Sequence, residues 1–131
     1  MISLNEFKSG GEGAGIGGVF SKLFEARNFA HLAHLRTKSY AQHKALGHFY
    51  EEIVELADSL YETYAGQYGQ IKFNAGPTVK EEDTVRYMES FGKMMLEAHK
   101  LIDEKDTHLH NILDEIIALA YQTNYKLKFL A

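Results

Sequence analysis

A chain of 131 residues has the size of one domain built on one hydrophobic core. Its 14 Lys and Arg against 18 Asp and Glu give a formal charge of −4, which supplies no electrostatic footprint for nucleic acid. It has no cysteine, so disulfides and cysteine-bound zinc or iron–sulfur sites are excluded, and any metal must use His, carboxylate or carbonyl ligands.

No apolar run approaches a membrane span, and the N-terminus carries an acidic residue and no apolar core of a signal peptide. A cytoplasmic protein without membrane attachment is expected. The single proline, Pro77, and the long periodic segments point to an all-α fold.

Residues 1–18 are glycine-rich, and glycine costs too much backbone entropy for a stable helix. They predict a flexible N-terminal arm ahead of a bundle over residues 19–131. Gly13, Gly15 and Gly18 happen to spell G-x-G-x-x-G, but no strand precedes them and no βαβ unit follows, so the dinucleotide reading fails. The arm holds Lys8 against Glu6 and Glu12, so strong DNA binding is not expected.

A first helix is predicted from Val19 to Arg36, with Phe20, Leu23, Phe24, Ala26, Ala30 and Ala33 buried. His31 and His34 lie three apart and share a face. The short polar link Arg36 to Ser39 implies an antiparallel neighbour. That neighbour is the longest helix, Tyr40 to Tyr64, capped by Ser39 and stopped by Gly66 and Gly69. Residues 66–78 read as a long loop pinned by Ile71 and Phe73. A third helix is predicted to start at Thr78, where Thr78 and Glu81 have capping-box spacing. Its core stripe is Val85, Met88, Phe91, Met95, Ala98 and Ile102, with Met88 and Met95 as core filler. Asp103 to Thr107 links it to a fourth helix, His108 to Leu130. Short, long and short connections make a four-helix bundle of the up-down type.

Functional side chains concentrate on the second helix. Asp58 and Glu62 are four apart and neighbours, whereas His43 lies fifteen residues before Asp58, about 22 Å along the axis. These groups cannot share one metal ion within one chain. Two antiparallel copies related by a two-fold axis near Tyr50 and Glu51 would place His43 opposite Asp58 and Glu62 of the other copy. The Glu-x-x-His signature of di-iron bundles is absent: Glu97 is followed at that spacing by Lys100, and Glu104 by Thr107. A metal centre inside one bundle is therefore not expected.

His31 and His43 are twelve residues apart, and Asp58 and Glu62 follow at steps of fifteen and four. On these positions, and on HKALGHFYEEIVELADSLYE and HNILDEIIALAYQTNYKLKFL, the chain resembles the Dps-like mini-ferritins from about residue 19 to 130. The segment TKSYAQHKALG further resembles uncharacterised Dps-related proteins of tailed bacteriophages. The resemblance implies a ferritin-like bundle that pairs through its second helix and assembles into a dodecameric cage. It implies ferroxidase activity, with Fe(II) bound at two-fold interfaces and oxidised by peroxide or oxygen. The implied ligands are His31 or His34 with His43 from one subunit, and Asp58 with Glu62 from the other. Other divalent metals would compete in vitro, and a phage-encoded protein would act in the host cytoplasm. Two departures stand out. The family's acidic residue four after the second His is Gly47 here, and the link between the first two helices lacks the family's usual Gly-containing loop, which leaves His34 beside His31 as the first-helix ligand; the family's Trp after that His is also absent. A ferritin-like bundle without ferroxidase activity, serving as a phage structural, interaction or anti-defence protein, is the alternative.

Overall fold

The computed structural model describes residues 15–74, 76 and 78–131. Four α-helices account for most of them: α1 (Gly15–Arg36), α2 (Tyr40–Tyr68), α3 (Thr84–Ala98) and α4 (Thr107–Phe129). A 3₁₀ turn, His99–Leu101, follows α3. The fold is the expected all-α four-helix bundle. No strand occurs among the described residues.

The helices sit at the corners of a square. Helix α1 packs on α2 and α3, and α4 packs on α2 and α3, so α1 faces α4 across the core and α2 faces α3. The core is a continuous set of buried side chains that includes Phe20, Phe29, Phe49, Ile53, Phe91, Met95, Leu113 and Ile116. Met88, Met94 and Met95 are all buried, as filler of irregular space between the helices.

Side-chain contacts fix the helix directions. Gln67 and Tyr68 at the end of α2 bond to Asp106 at the start of α4, and His99 at the end of α3 meets His110 early in α4. The link after α2 starts beside the beginning of α1, where Phe73 packs on Phe20 and Phe24. It ends beside the end of α1, where Glu81 pairs with Arg36 at 3.7 Å. The link therefore runs along the bundle, and α2 and α3 point the same way. This up, down, down, up order with one long crossover is the ferritin-like connectivity.

The crossover explains why the third helix starts late. An extended chain advances about 3.3 Å per residue and a helix 1.5 Å, so residues kept out of the helix let the crossover span more of the bundle's length. Helix α3 instead opens at Thr84, where the Asp83 carboxylate accepts the Arg86 N–H at 2.8 Å. Helix α2 has its expected start, with Ser39 Oγ accepting the Gln42 N–H at 3.2 Å. It runs through Gly66 and stops at Gly69, whose φ of 95° is accessible to glycine alone at low cost. Helix α1 begins at Gly15, four residues before the expected Val19. The remainder of the expected arm, residues 1–14, lies outside the described residues.

Candidate functional site

The turn between α1 and α2 brings His34 and His43 face to face. Their rings stack with centroids 3.7 Å apart and planes 17° apart. Each ring bonds to the other residue's backbone: His34 Nδ1 lies 2.6 Å from the His43 carbonyl oxygen, and His43 Nδ1 lies 2.8 Å from the His34 carbonyl oxygen. A carbonyl only accepts, so both Nδ1 atoms must carry the proton and donate. In the neutral rings both Nε2 atoms are then lone-pair donors for a ligand, held by an outer hydrogen bond as metal-binding imidazoles are.

Gly47 makes this pair possible. A Cβ built on Gly47 would lie 2.9 Å from His34 Cε1 and 3.0 Å from Nδ1. The His34 imidazole occupies the space into which a side chain at 47 would project. The absence of an acidic residue at this position is thus tied to the presence of the His34 ring. Around the pair lies a cavity of about 360 Å³ whose other walls are Lys44, Gly47, His48 and Glu51.

His31 is placed differently. Its ring stacks on Tyr50, with centroids 4.3 Å apart, and lies 6.4 Å from the His34 ring. His34, three residues on, is the α1 histidine that pairs with His43. Asp58 and Glu62 lie further down α2, both exposed. They border a second, mostly apolar cavity of about 320 Å³ with Phe24, Ala57, Tyr61 and Phe73. Within one chain, then, the two histidines and the two carboxylates occupy opposite stretches of the α1–α2 face. Among the described residues no three His, Asp or Glu side chains converge closely enough to hold a metal ion.

The bundle interior carries its own cation. Lys22 and Glu25 of α1 are 0% and 1% exposed, and Lys22 Nζ donates to Glu25 Oε1 at 2.6 Å. The Tyr87 hydroxyl of α3 donates to the same oxygen at 2.7 Å, and Lys22 Nζ also lies 4.6 Å from the Tyr87 ring centre. Burial lowers the Lys22 ammonium below its ordinary range, an effect that the Glu25 carboxylate opposes. Burial likewise raises the Tyr87 phenol, and the Glu25 charge adds to that rise. Glu25 Oε2 has no hydrogen-bond partner. The Lys22 ammonium neutralises this carboxylate within the core. Sequence reasoning missed this cluster, although Lys22 follows Val19 by three and precedes Ala26 by four on the buried stripe, a position where charge is out of place.

Two further groups link α4 to its neighbours. Tyr68 and Gln67 donate to the two carboxylate oxygens of Asp106, and Gln67 Oε1 receives His108 Nε2 at 2.7 Å. His110 is half-buried and contacts His99.

The fold and the paired histidines define a helical bundle with a polar seam between its first two helices. Residues 34–127, well over half of the chain, match DUF5856, a family of unknown function, and the chain belongs to that family. It is also similar to a protein of Enterobacteria phage T4 described as an uncharacterized 14.6 kDa protein in the mobD–ri intergenic region. The two are 25% identical over 128 residues, covering 96% of this chain and 98% of the relative. No solved structure matches the chain. No described helix is long and apolar enough to cross a membrane.

Proposed function

We propose that the protein is a Dps-like bundle that binds Fe(II) between two copies of its α1–α2 face. The observation that carries this reading is the cross-bonded His34–His43 pair, which leaves two imidazole Nε2 atoms available at a polar cavity. His34 and His43 of one subunit supply the nitrogen ligands, and Asp58 and Glu62 of the other supply the oxygens. Such a mixed set suits iron and other first-row divalent metals.

Charge order along α2 supports the pairing. On one side of a two-fold axis near Tyr50 and Glu51 lie His43, Lys44 and His48, and from the axis onward lie Glu51, Glu52, Glu55, Asp58 and Glu62. An antiparallel two-fold copy sets each side against its opposite. Leu32 and Leu35, which flank His34 in sequence, and Tyr40, whose ring lies 6.4 Å from that of His43, add exposed apolar surface at 43%, 65% and 74% exposure. The ferritin-like crossover and the phage relative are consistent with this reading. Its full form is a dodecameric shell that oxidises Fe(II) with peroxide or oxygen and so limits oxidative damage in the infected cell.

The test is an anaerobic Fe(II) titration with the mass measured in the same buffer, followed by a peroxide pulse. Saturable binding that is lost in His43→Ala and in Asp58→Ala, with rapid oxidation in the wild type, is the expected result. Absence of saturable Fe(II) binding by the wild type would overturn the reading. A second reading is favoured by the cavity between Phe24, Tyr61 and Phe73: an apolar slot with a carboxylate rim suits a protruding apolar side chain next to a basic group of a protein partner. In that case the bundle is a phage interaction protein without redox activity.

A further inference from the structure

At the opposite end of the bundle from the His34–His43 pair, His99, His110 and Asp114 form a line. The His99 and His110 rings are 1° from coplanar with centroids 4.8 Å apart, and their Nδ1 atoms face each other at hydrogen-bond range. The outer nitrogens are also committed. His99 Nε2 lies 2.8 Å from Asp114 Oδ1, and His110 Nε2 lies 3.1 Å from the Asp103 carbonyl oxygen. A tetrahedral metal bound by both facing nitrogens would hold them about 3.3 Å apart. The spacing fits a proton and leaves no room for a metal.

We propose that His99 and His110 share one proton and that this proton is a pH-sensitive latch on the α3–α4 corner. Proton counting leads there. Asp114 and the Asp103 carbonyl only accept, so both Nε2 atoms carry hydrogen. Two neutral rings would then present two lone pairs to each other across the Nδ1···Nδ1 contact, which is repulsive. One additional proton converts that contact into an N–H···N hydrogen bond in the plane of both rings.

Helix dipoles decide which ring carries the charge. His99 follows the C-terminus of α3, where positive charge is favoured, and His110 lies in the first turns of α4, where it is disfavoured. His99 is therefore the imidazolium, donating to both Asp114 and His110, and His110 is the neutral acceptor. The other titratable groups around the corner are Glu97 and Lys100, which pair with each other at 3.0 Å, Asp103, Glu104 and Lys105 of the link, His108 at the start of α4, and Asp106, whose negative charge also favours a proton on the pair. Removing the proton sets two lone pairs against each other and frees the 3₁₀ turn from α4.

The experiment is a pH titration of the full ¹⁵N-labelled chain, following imidazole nitrogens and amide exchange. At the acidic end of the neutral range His99 should show two protonated nitrogens while His110 keeps one. The His99 midpoint should move to lower pH in His110→Ala and in Asp114→Asn. Exchange at Ile102 and Asp106, whose N–H groups bond back to His99 and Asp103, should rise across the His99 transition relative to Leu119 in mid-helix. A neutral His99 under those conditions, or a midpoint unmoved by both substitutions, would overturn the shared proton. Exchange at Ile102 that tracks Leu119 throughout would overturn the latch. Both substitutions are on the half-exposed corner, and the wild-type measurement alone can refute the proposal.

Discussion

At Gly47 two opposing terms meet in one residue. Alanine in place of a mid-helix glycine normally stabilises by about 1 kcal/mol. Here the new methyl would lie 2.9 Å from His34 Cε1, on a ring held to the His43 carbonyl. Overpacking of this kind costs about 1–3 kcal/mol and should win, so Gly47→Ala is expected to destabilise and to displace the His34 ring. In a His34→Ala background the clash is gone, and the same substitution should stabilise. A double-mutant cycle by urea unfolding reads the change of sign, and equal effects in both backgrounds would refute the coupling. The same geometry bears on the chemistry. If the proposed iron site is right, Gly47→Glu should weaken Fe(II) binding, because the new side chain takes the place of the His34 ring proposed as a nitrogen ligand.

The helices themselves were legible because their apolar residues repeat at helical spacing, and Ser39 and Gly69 announce the ends of α2. The start of α3 was not, because Thr78 and Glu81 satisfy a local capping pattern that the crossover overrides. The site was half legible. Spacing singles out His43, Asp58 and Glu62, but the choice of His34 over His31 depends on how the α1–α2 turn folds. The cross-bonded carbonyls, too, leave no mark in sequence. The contacts between elements carry their own predictions. Lys22→Met would strand the Glu25 carboxylate in the core, and breaking a buried pair from one side costs about 3–5 kcal/mol. Replacing the whole cluster, as Lys22→Met with Glu25→Leu and Tyr87→Phe, should be close to neutral in thermal unfolding, and a loss as large as that of the single variant would refute this account. The α2–α4 tie responds to pH. Hydrogen bonds from Tyr68 and then Gln67 hold the Asp106 carboxyl below its ordinary 3.8, so its contribution is complete above that value and fades as pH falls through the lower folded value. Tyr68 is pushed up to about 12, chiefly by the Asp106 hydrogen bond, so its part persists through neutral pH and is lost as pH rises towards that value. Asp106→Asn should lower stability at pH 7 and flatten both limbs of the stability–pH curve.

For the whole molecule, the question is whether the histidines of one chain work with the carboxylates of another. In a single chain they are separated by about 22 Å along α2. The proposed isologous pair would hold two equivalent sites, each drawing His34 and His43 from one subunit and Asp58 and Glu62 from its mate. His43→Ala damages the nitrogen half of both sites, and Asp58→Ala damages the oxygen half of both, so each variant alone should bind no Fe(II) with wild-type affinity. Unfolded together and refolded, the two form mixed pairs. In a mixed pair one site combines both defects, and the other combines the intact His43 with the intact Asp58. Random mixing makes half of all pairs mixed, each with one of two sites whole, so binding should return to about one quarter of the wild-type stoichiometry at unchanged affinity, an estimate that follows from two-fold symmetry alone. Sites contained within a single chain give no recovery on mixing, since every chain retains its own defect. Titrating Fe(II) anaerobically into the refolded mixture, beside the two variants refolded separately, distinguishes these outcomes without requiring that the larger shell assemble.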